Sequence, residues 1–419
     1  MHFLLPTVGT DGDVLPYVRL GKELRRRGHG VTLVAAEPYE PLAVRNGLAF
    51  GMLVSGVENA ALFENPDFWN PLKSAPLAAR WGMRFLERQY ALISGLIREN
   101  TVIIANPGLL AAPLAAEKRG VPLVSLVLQP WMIPSAAAPP IMPGLAFLRS
   151  APWPFWKLFW RGLDFGVDLL IGQELNRLRN SLGMKPARRI LHHWLSRGLA
   201  MGMFPGWYGE PQTDWPKQLK LTGFPLGGGE NSGELPVELL EFIRSGPAPV
   251  VFTFGTGMAQ PGRQFRAALE ACAMAGFRGI FLTKYPDQLP APLPPSIFSC
   301  AFSPFEQLFP LCAAVVHHGG IGTAAVAMAA GVPQLVWPIC FDQADNGDRL
   351  RKLGIGDCLS GRRVTGKSLA RRVRALMSPE VKARCEAIRM KLDNTDGLAR
   401  AADEVEAFAA ARIGIPGRY

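Results

Sequence analysis

The chain has 419 residues, 48% of them hydrophobic and 19% charged, with a formal net charge of +11. That length predicts two domains with ample core, and the composition excludes a disordered chain. The basic residues are spread along the chain without interleaved aromatics, which argues against a nucleic-acid platform and leaves solvated faces or attraction to anionic lipid headgroups.

Met1-His2-Phe3-Leu4-Leu5 has no basic start and no long apolar run, and it soon meets Gly9, so it reads as a first strand over 3–6. The turn Gly9-Thr10-Asp11-Gly12-Asp13-Val14-Leu15-Pro16 follows. Its glycines permit a tight bend, and Pro16 suits the first turn of a helix. Asp13 has two readings here: a carboxylate that acts as general base on a hydroxyl, or an N-cap for a helix over 17–27. The turn is not Gly-x-Gly-x-x-Gly, so a dinucleotide fingerprint is not supported. Val31 to Ala35, Val102 to Ala105 and Leu123 to Leu128 are apolar runs interrupted only by Thr32 and Ser125, as in a parallel sheet covered on both faces. Strands alternating with helices predict a doubly wound α/β domain.

Residues 130–165 break the alternation with Pro, Ala and aromatics, and nine of the ten tryptophans precede residue 220. A domain that handles a greasy substrate has such an excess. So does an interfacial helix, with Trp and Phe beside Lys157 and Arg161, and so does a helical flap packed on its own domain. No run of about 18 apolar residues lacks a charge or a proline cluster, so no spanning helix is expected.

The polar, glycine-rich segment from Leu226 to Gly233 predicts a linker. The expected division is an N-terminal domain over 1–225, a linker over 226–245, a C-terminal domain over 246–395 and a terminal amphipathic helix within 396–419. Strands are expected over 249–254, 280–283, 297–301, 312–316 and 334–339. All six cysteines lie beyond residue 270 without a Cys-x-x-Cys pair, which fits buried thiols in a reducing cytosol.

The densest motif is Val316-His317-His318-Gly319-Gly320-Ile321-Gly322-Thr323, followed by Gly331-Val332-Pro333 and Phe341-Asp342-Gln343-Ala344-Asp345-Asn346. A glycine turn that opens a helix presents backbone N–H groups to phosphate, and an imidazole adds a donor. Asp342 and Gln343 accept from and donate to sugar hydroxyls. Diphosphate plus sugar is the chemistry of a nucleotide-sugar site. Thr253-Phe254-Gly255-Thr256-Gly257 and Phe302-Ser303-Pro304 follow other strands and suit phosphate, ribose or base. The adjacent histidines lack further ligands at metal spacing, and a Ser/His/Asp hydrolase lacks its Gly-x-Ser-x-Gly.

Together these residues resemble the nucleotide-sugar-dependent glycosyltransferases of the GT-B fold, in the family that includes sterol and macrolide or glycopeptide glycosyltransferases. Trp207, Asp214-Trp215-Pro216 and Leu221-Thr222-Gly223-Phe224-Pro225 look most like the branch that makes rhamnolipids. The resemblance implies two doubly wound, Rossmann-like α/β domains facing across a cleft. It implies Asp13 as catalytic base, and Thr256, His317, His318, Gly320, Gly322 and Thr323 on the donor diphosphate. Phe302 and Ser303 would lie by the base, and Asp342 and Gln343 by the sugar. Two positions depart: Asp11 stands where sterol-glucosyl members carry Arg, and His318 where the rhamnolipid branch carries Pro.

The implied activity is an inverting, metal-independent hexosyl transfer from a UDP-glucose or dTDP-rhamnose type donor to a hydroxyl of a lipophilic acceptor. The nucleotide sugar is a co-substrate, and no cofactor or metal is expected. The expected location is cytoplasmic, with peripheral contact to the inner membrane face. A nucleotide-sugar epimerase of similar plan and a non-catalytic nucleotide-sugar-binding protein are the alternatives.

Overall fold

The computed structural model of the chain describes residues 1–142, 144–227, 233–255, 262–359 and 364–413. The chain divides into two compact units, one formed by Met1–Glu230 with Asp396–Tyr419 and the other by Asn231–Thr395. Most of the glycine-rich segment of the expected linker, 228–232, lies outside the described residues.

The first unit holds a seven-stranded parallel sheet. Its strands are β1 (His2–Pro6), β2 (Gly30–Ala36), β3 (Ala49–Val54), β4 (Thr101–Ala105), β5 (Leu123–Val127), β6 (Leu199–Gly202) and β7 (Leu219–Leu221), in the order β3-β2-β1-β4-β5-β6-β7. β1 pairs in parallel with β2 and β4, which puts the central reversal of strand order beside it. Every residue of β1 and β4 is buried, the expected state of a strand covered on both faces. Phe3, Leu4 and Leu5 are fully enclosed. Ligand sites in such sheets form at strand C-terminal ends near the reversal. The Gly9–Pro16 turn stands there.

The second unit holds a six-stranded parallel sheet in the order β10-β9-β8-β11-β12-β13. Its strands are β8 (Val250–Thr253), β9 (Gly279–Leu282), β10 (Ile297–Cys300), β11 (Ala314–His317), β12 (Gln334–Val336) and β13 (Gly356–Cys358). The reversal lies between β8 and β11, whose ends pair His317 with Thr253.

Three boundaries differ from the sequence reading. The first helix spans Asp11–Arg26 and begins six residues earlier than expected, because Thr10 caps it. The helix after the double histidine, which the small residues from Thr323 to Ala330 predict, begins at Ile321, because Gly320 already stands as its N-cap. β12 stops at Val336, and the chain then turns through Pro338 toward Asp342.

Two long helices of the first unit, Ser74–Leu96 and Trp153–Ser181, interrupt the strand series. The second is tied down by its acidic residues: Asp168 accepts from the Arg189 and Ile190 N–H groups, and Asp164 from that of His192. The terminal helix Gly397–Ile413 packs on the Asp11–Arg26 helix within the same unit. There Arg27 reaches Asp403 and Glu406, each at 2.6 Å, and His29 reaches Glu406 at 2.5 Å.

Candidate active site

In the first unit the site is the turn after β1. Thr10 adopts extended backbone as N-cap, and Asp13 occupies the third helical position. The Thr10 N–H donates to Asp13 Oδ2 at 2.9 Å, and the Thr10 hydroxyl lies 3.4 Å from the same oxygen. Asp13 is therefore part of the cap without being the N-cap residue. Its Oδ1 has no hydrogen-bond partner among the described residues. Gly9 has φ +141°, and a Cβ there would fall 2.2 Å from Asp13 Oδ2, so only glycine lets the carboxylate fold back against the turn.

Burial raises the Asp13 pKa to about 6, an effect that the Thr10 hydrogen bonds partly oppose and the neighbouring Asp11 charge reinforces. A carboxylate poised there is ionised at neutral pH yet basic enough to take a proton. Asp11 accepts from the Tyr39 hydroxyl at 3.0 Å. Tyr39 and Trp81 pack against Ala36, Val54 and Phe85, so an apolar, aromatic patch adjoins the turn.

In the second unit, the turns after β8, β11 and β12 meet. His317, at the end of β11, is fully buried. Its Nδ1 accepts from the Gly319 N–H at 3.1 Å, which leaves the ring proton on Nε2 to donate to Gln334 Oε1 at 3.0 Å. Both nitrogens are thus consumed internally. His317 was expected on the diphosphate. Its geometry instead makes it a brace for the loop, and burial holds its pKa down at about 3.

His318 points differently. Its Nδ1 is buried with no hydrogen-bond partner. The ring is wedged between two glycines: a Cβ on Gly255 would approach Cε1 to 3.1 Å, and one on Gly320 would approach Nε2 to 2.5 Å. Desolvation lowers its pKa to about 4, so the imidazole is neutral at pH 7 and keeps one N–H donor. Gly320 is the N-cap of the Ile321–Ala329 helix, so the N–H groups of Ile321, Gly322 and Thr323 have no acceptor within the helix. Gly322 is exposed and Thr323 half-buried. This helix start and the orphan imidazole form one electropositive corner suited to an anion.

The β12 turn locks onto that corner. Asn346 donates to the Gly319 carbonyl at 2.9 Å and to Asp342 Oδ2 at 2.6 Å. Gln343 Oε1 accepts from the N–H groups of Ile339 and Cys340, at 2.7 and 3.0 Å. That fixes the amide and leaves its NH2 without a partner among the described residues. Gly319, at φ +99°, has no room for a side chain beside Val336 and the Gln343 carbonyl. Phe302 and Ser303 stand at the same edge of the sheet, after β10. Phe302 is 55% exposed, while the enclosed Ser303 hydroxyl lacks a partner. Thr256 lies outside the described residues.

The sequence reading missed Gln334 and Asn346 as the residues that brace His317 and the glycine turn. Asn346 stood within the quoted motif, whereas Gln334 carried no local signal.

Comparison with known proteins finds relatives of both halves of the chain. Residues 3–138 match the family described as glycosyltransferase family 28 N-terminal domain, and residues 281–400 match that described as erythromycin biosynthesis protein CIII-like, C-terminal domain. Glycosyltransferase GtfE of Amycolatopsis orientalis is 29% identical over 416 residues, covering 96% of both chains. The sterol 3-beta-glucosyltransferase of Pichia angusta is 27% identical over 88% of this chain, which spans only 30% of that protein's length. Among solved structures, the calicheamicin glycosyltransferase CalG4 superposes with a TM-score of 0.69 at 22% identity, covering 98% of each chain. Glycosyltransferase VinC in complex with DTDP superposes with a TM-score of 0.69 at 20% identity, over 98% of this chain and 100% of that one.

Proposed function

We infer that this chain, which belongs to the glycosyltransferases of the GT-B fold, moves a hexose from a nucleoside diphosphate sugar to a hydroxyl of a lipophilic acceptor with inversion at the anomeric carbon. The observation that carries the reading is the orphan His318 imidazole beside a helix start opened by Gly320 and Gly322. Such a corner has no structural use for its donors, and a diphosphate satisfies them.

The chemistry divides between the units. In the first, the acceptor hydroxyl donates to Asp13 Oδ1 and gives up its proton as its oxygen bonds the anomeric carbon. In the second, the bond from that carbon to the diphosphate breaks, and the leaving charge falls on His318 and the N–H groups of Ile321 to Thr323. Preorganised donors of this kind supply the main electrostatic contribution, and losing one typically costs about 10²–10³ in rate. The diphosphate loop is built of N–H donors, which is why we read the transfer as metal-independent. Asp342 and the Gln343 amide are assigned to the sugar hydroxyls, and Phe302 with Ser303 to the base and ribose.

The aromatic patch of Tyr39, Trp81 and Phe85 beside the Asp13 turn supports a lipophilic acceptor. The donor classes that fit are UDP-glucose and dTDP-rhamnose. VinC was crystallised with DTDP, and sterol glucosyltransferases are among the relatives. An epimerase or a non-catalytic binder gains no support from relatives that are themselves glycosyltransferases.

A thermal-shift panel of nucleotide sugars identifies the donor, and mass spectrometry with hydrophobic acceptors identifies the product. A shift with a nucleotide sugar followed by a hexosyl adduct is expected. Donor conversion without acceptor, or hexose transfer only to hydrophilic sugars, overturns the reading.

A further inference from the structure

The Trp153–Ser181 helix exposes an apolar stripe that the reaction does not use. Phe155, Leu158, Gly162, Phe165 and Leu169 recur at steps of three and four residues, so at 3.6 residues per turn they share one face. On that face Leu158 is 69%, Phe165 65% and Leu169 70% exposed. Trp153, at the helix start, is 50% exposed, and Phe147, just before it, is 76% exposed. Buried Trp156 on the opposite side already anchors the helix to its own unit. The stripe is therefore a second, outward face, and a helical flap packed on its own domain does not account for it.

Charge indicates what covers it. No Asp or Glu occurs between Glu117 and Asp164, whereas Lys118, Arg119, Arg149, Lys157 and Arg161 all do. Lys157 and Arg161 flank the stripe. The Lys157 ammonium sits 3.5 Å from the centre of the Trp153 ring, a pairing suited to a headgroup boundary. Both also line a cavity of about 470 Å³ together with Arg189, Arg197, Asp164 and Asp214. Asp214 is spent on Ser135 and on the Ala136 and Ala137 N–H groups, and Asp164 on Arg189 and the His192 N–H. Arg161 and Arg197 have no ion-pair partner among the described residues. No helix among the described residues is long and apolar enough to cross a membrane.

We propose that this helix lies on the surface of an anionic lipid bilayer, with the Leu158–Phe165–Leu169 face at the acyl boundary and Lys157 and Arg161 at the lipid phosphates. An exposed apolar face beside a basic flank, its neighbouring carboxylates Asp164 and Asp168 already engaged by Arg189 and by backbone N–H groups, is the arrangement of an interfacial helix. The inference is independent of which donor or acceptor the protein uses.

The test is cosedimentation of the full chain with vesicles of phosphatidylcholine alone or mixed with phosphatidylglycerol, at low and high salt. The wild type is expected to pellet with the phosphatidylglycerol vesicles at low salt and to stay in solution in the other conditions. Lys157→Glu with Arg161→Glu is expected to weaken partitioning by at least about tenfold. Leu158→Glu with Phe165→Glu and Leu169→Glu is expected to abolish it. All these positions are at the surface, and circular dichroism checks that each variant is folded. Failure of the wild type to bind, or binding that survives either set of substitutions, overturns the proposal. So does sedimentation velocity showing a stable dimer that the apolar set converts to monomer, because the face is then covered by a second copy.

Discussion

Thr10 and Asp13 hold each other across one helical turn: the Thr10 N–H donates to Asp13 Oδ2 at 2.9 Å, while the Asp13 N–H donates back to the Thr10 carbonyl at 2.8 Å. The cap fixes one carboxylate oxygen and leaves the other for chemistry. Burial makes the ionised form costly, so the same turn that positions the base also raises its basicity.

Asp13 acts only when ionised. Its pKa near 6 predicts that kcat/KM falls as pH drops through about 6, with one proton taken up. Asp13→Asn should lower kcat by about 10²–10⁴ and leave donor affinity, measured by calorimetry, unchanged. Unchanged turnover removes Asp13 from the mechanism.

The same shift has a stability consequence of opposite sign to the usual carboxylate case. The folded chain holds the Asp13 proton more tightly than the unfolded chain does, so this group lowers stability as pH rises from about 4 through about 6. Asp13→Asn keeps an acceptor for the Thr10 N–H and loses the charge. Urea unfolding should show it more stable than wild type by about 1–3 kcal/mol at pH 8, with the gap closing below about pH 4.

The two adjacent histidines should separate by readout. His317→Ala removes the donor to buried Gln334 and opens a cavity, and it is expected to cost about 2–4 kcal/mol of stability. His318→Ala removes no internal hydrogen bond, so stability should change little while kcat falls by about 10²–10³. Because burial keeps the His318 ring neutral down to about pH 4, its loss should not move the acidic limb of the pH profile. Equal loss of stability in both variants contradicts the division.

Gly320→Ala tests the anion corner. Gly320 has φ −61°, which any residue adopts, so the backbone is unstrained, but the new Cβ would meet His318 Nε2 at 2.5 Å. Displacing the ring should weaken donor binding by about tenfold or more while unfolding stays near wild type. Gly319→Ala, at φ +99° and against the Gln343 carbonyl, should instead destabilise the unit by about 1–3 kcal/mol.

The strands nearest the two turns were legible, because β1, β2, β4, β5, β8 and β11 are mostly apolar runs, interrupted within only by Thr32 and Ser125. The short outer strands β6, β7 and β13 were not. Leu219–Leu221 and Gly356–Cys358 are three residues long, and parallel pairing with a formed neighbour defines them more than their own propensity does. The early start of the first helix was readable in principle, since Thr10-x-x-Asp13 follows the spacing of a capping box, but Asp-Gly-Asp looks like a loop to propensity alone. The bracing role of His317 was not readable. It depends on Gln334, seventeen residues away, and only sheet register brings the two together.

The Gly397–Ile413 helix is built into the unit that begins at Met1, although the whole of residues 231–395 intervenes. In topological terms the second unit is an insertion in the first. During synthesis the β1 sheet can form early, but the flank carrying Arg27 and His29 stays uncovered until the distal helix has left the ribosome. A fragment ending near residue 230 therefore lacks part of its own surface, and limited proteolysis that clips residues 397–413 should loosen the amino-terminal unit rather than the one preceding the cut in sequence.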